Sequence, residues 1–448
     1  MRRLIFAALR VVSALDHWLR ERLTLAGWLV MGAGGAAAAA GLDTNLTVTY
    51  RAFTFLASLF ALSWATSLFF RARIDAQREM PRYATAGEPF SYRLTVANLG
   101  ARTLTGALVT ERFRDPRPSF DEWRRAVEPG EERRNWFDRK VGYFRWRWLI
   151  DRRVPRDIDD AAIPPLAPGE RLTLKLGFTP RRRGRIEFSG LTLGRPDPLG
   201  LVKGLARVTL AARVIALPKR YRLPDIALPG RRKFQPGGVS LAASIGDSEE
   251  FLALRDYRPG DPLQRVHWKS FARTGKPVVK EYQDEFFERH ALVLDTGSRI
   301  GNRGGEDAAF EEAVALAASF VYTIDTQDCL LDLLFVGGEV RAYTAGRGQM
   351  RAEHMLEVLA GVGPSAPGDF AALARTVLGR RATLSSVIAI FVSWDEARAR
   401  FVASLRAEGF DVRALLVGDG TDAPPGILRL EPGKIEQGLA GLNKAGLR

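Results

Sequence analysis

The sequence contains one cysteine, Cys329, and only four histidines, His17, His267, His290 and His354, in 448 residues. A single cysteine excludes both a disulfide framework and a cysteine-based zinc cluster. Histidines so far apart in sequence also argue against a histidine-rich metal site. The rest of the composition is typical of a globular protein, with 46% apolar and 26% charged residues. The length predicts two or three domains.

Positive charge is abundant but unevenly distributed. The net charge is +15, and only ten of the 66 basic residues are lysine. From Glu281 onward there are 17 basic and 24 acidic residues, a net of −7, so residues 1–280 carry a net of +22. A basic first part fits nucleic acid and anionic lipid equally well. Charge alone therefore identifies no partner.

Two uncharged stretches, Leu23–Leu42 and Ala52–Phe70, are each close to the ~20 residues that a helix needs to cross a bilayer. Arginines are concentrated before the first stretch and after the second, which by the positive-inside rule places both ends in the cytoplasm. The sequence therefore predicts a transmembrane helical hairpin over residues 23–70 of an inner-membrane protein with cytoplasmic termini and bulk domains. Apolar residues at helical spacing in Met1–Leu19 predict an amphipathic membrane-surface helix over residues 1–22.

Short segments of alternating polarity, separated by glycine and proline turns, predict a small antiparallel β-sandwich over residues 83–220. The predicted strands are Pro89–Ala97, Leu104–Thr110, Arg171–Phe178, Ile186–Leu193 and Ala206–Leu217. A charged insertion, residues 111–162, interleaves arginines with tryptophans. It could stack single-stranded nucleic acid or sit among lipid headgroups. We favour an insertion that covers the sandwich or offers a partner surface.

Residues 286–448 alternate short apolar strands with helices, which predicts a doubly wound, mainly parallel α/β sheet. The predicted strands are Ala291–Asp295, Cys329–Val336, Val387–Val392 and Val412–Val417. Ligands of such sheets bind at the carboxyl ends of strands, here Asp295–Ser298 and Ser393–Asp395.

Between these two regions lies a motif-rich segment, residues 221–285. Its pattern predicts a strand at Phe251–Tyr257, a turn at Gly260, and a helix from Asp261 to about Ala272. Gly275 can terminate this helix, and a second strand is predicted at Pro277–Tyr282.

On a catalytic interpretation of this segment, His267 is a general base beside Lys269 or Asp261. No nucleophile or second acid stands at a suggestive spacing, so we favour packing of His267 and Trp268. Nearby ion pairs are then expected between basic and acidic residues, namely Arg255, Arg258, Arg265 and Arg273 with Glu249, Glu250 and Asp256.

These motifs resemble the bacterial "domain of unknown function 58" family. The resemblance is carried by Asp197-Pro198-Leu199-Gly200-Leu201, by Phe251-x-x-Leu254-Arg255-x-Tyr257-x-Pro259-Gly260-Asp261, and by Arg265-x-His267-Trp268-Lys269. It implies a transmembrane hairpin, an immunoglobulin-like module and a von Willebrand factor A-like domain. It also implies a MoxR-type AAA+ ATPase as partner, often with other von Willebrand A-domain proteins, in chaperone-like or envelope-stress roles. The motif residues expected to carry interaction are Arg255, Tyr257, Gly260, Asp261, Arg265, His267, Trp268 and Lys269.

The von Willebrand A-domain superfamily often binds Mg²⁺ through Asp-x-Ser-x-Ser. Here the run is Asp295-Thr296-Gly297-Ser298-Arg299, which lacks both serine positions. Asp295, Ser298 and Asp395 are the residues that could still hold a metal, and otherwise no cofactor is expected.

The resemblance thus favours a non-enzymatic, membrane-anchored adaptor that works with the ATPase. Two alternatives stay open. One is a membrane protein that binds nucleic acid or anionic lipid through its basic half, although nucleic acid is the weaker expectation because the C-terminal domain is acidic. The other is a hydrolase that uses His267 or a degenerate metal site.

Overall fold

The computed structural model describes most of the chain. The described residues are 1–40, 47–128, 130–158, 160–223, 250–261, 263–283, 289–297, 304–324, 330–337, 339–345, 352–365, 370–418 and 424–440.

Three helices form the N-terminal part, α1 (Arg2–Arg22), α2 (Leu25–Ala40) and α3 (Thr47–Ser67). Among the described residues, no helix is both long and apolar enough to span a bilayer. The 16 residues of α2 rise only about 24 Å at 1.5 Å each, short of the ~30 Å hydrocarbon core. The α3 helix is longer, but threonines, serines and Arg51 interrupt its apolar surface. The predicted transmembrane hairpin, and the two-pass inner-membrane localisation drawn from it, are therefore wrong.

These helices contact the β module that follows. Leu23 pairs with Val202, and the Thr24 hydroxyl donates to the Gly200 carbonyl at 2.5 Å. A Cβ on Gly27 would lie 2.1 Å from the Leu201 carbonyl oxygen, so only glycine allows this approach. The resemblance motif at residues 197–201 therefore forms the turn on which α2 rests.

In the described part of the β module there are eight strands. They are β1 (Ile74–Glu79), β2 (Tyr83–Thr85), β3 (Phe90–Asn98), β4 (Ala107–Phe113), β5 (Ala161–Ile163), β6 (Arg171–Phe178), β7 (Gly184–Pro196) and β8 (Lys203–Leu217). One sheet has the order β1-β3-β6 and the other β2-β8-β7-β4-β5, with antiparallel neighbours except β2 and β8. Alternate side chains of β3 and β7 enclose the core between the sheets. The five predicted strands are all present, and the sandwich has three more.

The insertion between β4 and β5 contains α4 (Phe120–Arg125), α5 (Trp136–Val141) and α6 (Tyr143–Asp151). Trp123 and Trp146 are each 2% exposed and pack against Phe6 of α1. These aromatic side chains therefore form a small core that holds α1 against the insertion.

The motif segment forms β9 (Glu250–Asp256), α7 (Trp268–Thr274) and β10 (Val278–Gln283), in which β9 and β10 make a separate antiparallel pair. The predicted helix start at Asp261 is wrong, because a 3₁₀ turn at Leu263–Arg265 precedes α7. The predicted roles of the glycines are confirmed, with φ +108° at Gly260 and +68° at the helix-ending Gly275.

The C-terminal domain is built on one six-stranded sheet with the order β13-β12-β11-β14-β15-β16. Its strands are β11 (Arg289–Leu294), β12 (Leu330–Val336), β13 (Val340–Ala345), β14 (Ser386–Phe391), β15 (Asp411–Val417) and β16 (Leu428–Leu430). All neighbours are parallel except β12 and β13. The helices are α8 (Gly304–Ile324), α9 (Ala352–Gly361), α10 (Phe370–Gly379), α11 (Glu396–Ala407) and α12 (Ile435–Leu439). The predicted doubly wound sheet is present, and apolar cores cover both of its faces.

The turn between β6 and β7 joins the β module to this domain. Arg183 donates to the Leu359 and Val362 carbonyls at the end of α9, at 3.2 and 2.6 Å. Its guanidinium also pairs with Glu311 of α8. A cation at the carbonyl end of a helix is electrostatically favourable, so this arginine fastens the two modules together.

Candidate functional site

The strand order reverses beside β11, since β12 lies on one side of it and β14 on the other. In doubly wound sheets, the crevice at the carboxyl ends of the strands at such a switch point is the usual ligand site. Asp295 directly follows β11, and Asp395 follows β14 as the N-cap of α11. The two carboxylates predicted to lie near each other therefore do meet at the switch point.

A residue that the sequence analysis did not single out, Arg398, joins these carboxylates. Its guanidinium donates to both oxygens of Asp295, from Nε at 2.7 Å and from Nη2 at 3.2 Å. It also pairs with Asp395, whose other oxygen accepts the backbone N–H of Arg398 at 3.0 Å. The guanidinium carbon lies 4.7 Å from the centre of the Phe370 ring. One arginine thus orients both carboxylates, and its single positive charge balances that of the buried Asp295.

Most of this cluster is buried, so its charges depend on one another and not on water for stabilisation. The side chains of Arg398 and Asp295 are 2% and 1% exposed, whereas that of Asp395 is 44% exposed. Burial raises the pKa of Asp295 above its ordinary value, while the hydrogen bonds and charge of Arg398 oppose the rise. The cluster therefore consists of a buried ion pair with one solvent-facing carboxylate.

The donor set does not fit Mg²⁺ in this arrangement. A divalent ion needs carboxylate oxygens with free lone pairs at octahedral positions. Both Asp295 oxygens instead accept hydrogen bonds from Arg398, and one also accepts the Gly297 N–H at 2.9 Å. Ser298, the third residue predicted to bind metal, lies outside the described residues. Within the described parts of the chain, no three histidine, cysteine or acidic side chains form a metal-binding group.

Hydroxyl groups hold the other side of the switch point. The Thr296 hydroxyl donates to the Val336 carbonyl at 2.9 Å and contacts the Ser365 hydroxyl at 2.9 Å. The Ser365 N–H donates to the Thr296 carbonyl at 2.7 Å. Thr296 is fully buried, so these bonds fix the loop after β11 to β12 and to Ser365, four residues beyond α9.

The predicted motif residues lie on the β9–β10 pair and on the segment that connects its two strands, which includes α7. Arg255 and Asp261 form a two-bond ion pair, 2.7 Å each, and the Arg258 N–H donates to Asp261 at 2.8 Å. These hydrogen bonds lower the pKa of Asp261 to about 2, and the bonds from Arg255 have the largest effect. The ion pair of Arg255 with Asp261 was not predicted, and Glu249, one of the acidic partners predicted for the motif arginines, lies outside the described residues.

The remaining motif residues surround α7. His267 precedes the helix, and its Nδ1 lies 2.6 Å from the Ser270 hydroxyl. Trp268 is 60% exposed and makes an edge contact with Phe271 at 6.0 Å, so the predicted packing of Trp268 is wrong. Lys269 is exposed on the same helix.

Tyr257 and Gly260 border the turn that Asp261 closes, and Arg265 lies in the 3₁₀ turn. The hairpin is not hydrogen-bonded into the six-stranded sheet. The motif residues therefore lie on a two-stranded sheet of their own, whereas the switch-point aspartates follow strands of the six-stranded sheet.

Arg398 could have been found from the spacing Asp395-x-x-Arg398, which places an N-cap carboxylate and a cation on one helical turn. Its main partner, Asp295, is 103 residues away in sequence, and no local pattern marks that pairing.

Comparison with known proteins matches part of the chain to a family. Residues 253–423 match the family model described as "Protein of unknown function DUF58". The "Uncharacterized protein YeaD" of Bacillus subtilis (strain 168) is 26% identical over 200 residues, 44% of this chain. The match spans 48% of that relative, about half its length.

Solved structures offer only distant likenesses. The CARDB domain of the PF1109 protein from Pyrococcus furiosus, solved in complex with di-metal ions, has a TM-score of 0.18 and 14% identity, over 32% of this chain and 91% of that one. Proximal thread matrix protein 1 of the mussel byssus has a TM-score of 0.23 and 15% identity, over 35% of this chain and 43% of that one.

Proposed function

Through residues 253–423 the chain belongs to the DUF58 family, and on this premise we propose that it is a non-enzymatic adaptor that works with a MoxR-type AAA+ ATPase in chaperone-like maturation. Its α/β domain, which we take to be von Willebrand factor A-like, binds the ATPase or a client through the carboxyl end of the sheet. The partner is what the family resemblance implies.

The bridge formed by Arg398 between Asp295 and Asp395 is the observation that supports this proposal best. A catalytic carboxylate has to exchange a proton or coordinate a ligand, and these two carboxylates are held by an internal cation instead. The bridge holds both carboxylates in place, and a preformed surface of this kind suits recognition of a partner.

The exposed residues around the bridge suggest where a partner contacts the domain. The side chain of Glu396, the first residue of α11, is 79% exposed, and the half-exposed carboxylate of Asp395 lies beside it. Trp394 packs edge-on against Phe391 at 5.5 Å and is only partly buried. An aromatic side chain flanked by acidic groups suits a basic partner surface with an apolar centre.

Opposite ends of α11 provide a matched test. Glu396 lies at the carboxyl edge of the sheet, and Glu408 caps the far end of the helix, where it pairs with Arg381 at 3.1 Å. Both glutamates make surface ion pairs worth no more than about 1 kcal/mol, so reversing either charge leaves the fold intact. The tagged full chain and its Glu396→Arg and Glu408→Arg variants are used to capture partners with and without ATP.

The proposal predicts nucleotide-dependent retention of an AAA+ ATPase by the wild type and by Glu408→Arg, and a loss of at least about tenfold for Glu396→Arg. Capture of no ATPase under either condition would contradict the adaptor function. Equal capture by both variants would contradict the assigned face.

A hydrolase is the second candidate, because the Ser270 hydroxyl lies 2.6 Å from Nδ1 of His267. A serine beside a histidine is the start of a nucleophile–base pair. In the described part of the chain no carboxylate is bonded to this histidine to orient it, and the contact spans one helical turn. Any hydrolytic activity of the purified chain that disappears in His267→Ala would favour this candidate, whereas activity unchanged by that substitution would exclude it.

A further inference from the structure

An open cleft of about 480 Å³ lies between the helical insertion and the turn that joins β6 to β7. Its volume falls within the ~300–1,000 Å³ range of small-ligand sites. Six arginines dominate its lining, together with two acidic residues, Glu128 and Asp151, and two aromatic residues, Phe144 and Trp148. Six arginines against two acidic residues give the cleft a formal charge of +4.

Three of these arginines have no partner for their guanidinium groups among the residues that the structure describes. They are Arg147 on α6, Arg156 after it, and Arg181 in the β6–β7 turn, and all three are exposed. Like charges gathered around one cavity repel one another unless an anion enters. The cleft therefore has both the charge and the free donors to bind one.

The two aromatic residues of the cleft hold other arginines in place. The Arg134 guanidinium lies 3.6 Å from the centre of the Phe144 ring and also pairs with the buried Glu128. The Arg152 guanidinium lies 4.3 Å from the centre of the Trp148 ring. Each ring thus already carries a guanidinium on one face, which leaves less aromatic surface for stacking a nucleobase.

We propose that this cleft binds a small anion with several phosphoryl groups, recognised through its phosphate chain. Guanidinium groups match phosphate oxygens with paired N–H donors, and several such groups around one cavity favour a ligand with more than one phosphate. Arg182, which also lines the cleft, donates to Glu311 of α8 at 2.7 Å, so the ligand lies beside the contact between the β module and the α/β domain. This site is separate from the switch point and does not depend on its function.

Calorimetric titration of the full chain with inorganic tripolyphosphate, ATP and adenosine tests the proposal. The disabling variant is Arg147→Gln/Arg156→Gln/Arg181→Gln. Its control is Arg102→Gln/Arg171→Gln/Arg213→Gln, which removes the same charge from three exposed arginines outside the cleft. Thermal unfolding of both variants checks that each is folded.

The wild type and the control variant should bind tripolyphosphate and ATP with similar affinities and should not bind adenosine. The cleft variant should bind both anions at least about tenfold more weakly, because each lost charge-assisted hydrogen bond is worth a factor of ten or more. Binding of the wild type should weaken as salt rises.

Three results would overturn the proposal. The first is absence of tripolyphosphate and ATP binding by the folded wild type. The second is equal weakening in the cleft and control variants, which would mean that only net charge matters. The third is that adenosine or a single-stranded oligonucleotide binds to the wild type but tripolyphosphate does not. That result would mean that the surface binds nucleobases by stacking.

Discussion

Replacement of Arg398 by leucine should destabilise the α/β domain more than any other single change at the switch point. The substitution keeps an apolar stem beside Phe370 but leaves the Asp295 carboxylate, 1% exposed, without its cation. Removing one partner of a buried ion pair costs about 3–5 kcal/mol. That cost corresponds to an increase of roughly two to four powers of ten in the population of the open state.

Arg400 on the same helix is the matched control. It pairs with Glu396 at 2.6 Å, yet both side chains are more than 70% exposed, so Arg400→Leu should cost less than about 1 kcal/mol. Hydrogen exchange of the β11 and β14 amides in the full chain measures both effects as free energies of opening. A cost for Arg398→Leu below about 1 kcal/mol, or equal to that of Arg400→Leu, would refute the reasoning.

The destabilisation should also depend on pH. Burial raises the pKa of Asp295 in the folded state, and loss of Arg398 removes the main opposing interaction, so the pKa rises further. A carboxyl group whose folded pKa exceeds its unfolded value binds its proton more tightly when folded. The cost of Arg398→Leu should therefore be largest near pH 7 and shrink as the pH falls toward the unfolded pKa of about 3.9.

Two further predictions concern the motif hairpin and the N-terminal helices. The Asp261 carboxyl should titrate near pH 2 by NMR, and in Arg255→Gln its pKa should return toward 3.8; an unchanged pKa would show that Arg255 is not its main partner. Gly27→Ala should lower the free energy of unfolding by about 1–3 kcal/mol, because the new Cβ meets the Leu201 carbonyl. Gly32→Ala has open space around the new Cβ and should raise the free energy of unfolding by up to about 1 kcal/mol. Equal effects of the two alanines would contradict the docking of α2 on the β module.

Strands with strong local patterns could be predicted from the sequence. The β6 strand coincides with its predicted range, and β14 is buried along its whole length, which explains its continuous apolar run. The β13 strand was missed because it pairs on one edge only, where half-buried side chains give no clear alternation. The apolar run of α3 gave a wrong prediction, because threonines, serines and Arg51 interrupt its apolar surface.

Partners of individual charged side chains could not be predicted, whether they are close or far apart in sequence. Asp261 followed by proline is a common helix start, but here Arg255 and the Arg258 N–H take the Asp261 oxygens. Asp295 and Asp395 were placed correctly from the rule for strand ends, whereas the cation between them comes from a side chain that only the fold brings within reach.

The most direct test of the proposed adaptor function is hydrogen exchange of the full chain with and without a purified MoxR-type ATPase and ATP. We predict new protection at the carboxyl edge of the sheet, at residues 393–398 and in the loop after β11, and its loss in Glu396→Arg but not in Glu408→Arg. Protection confined to the β module or the β9–β10 hairpin, or no protection at all, would contradict the assignment of the switch point as the binding face.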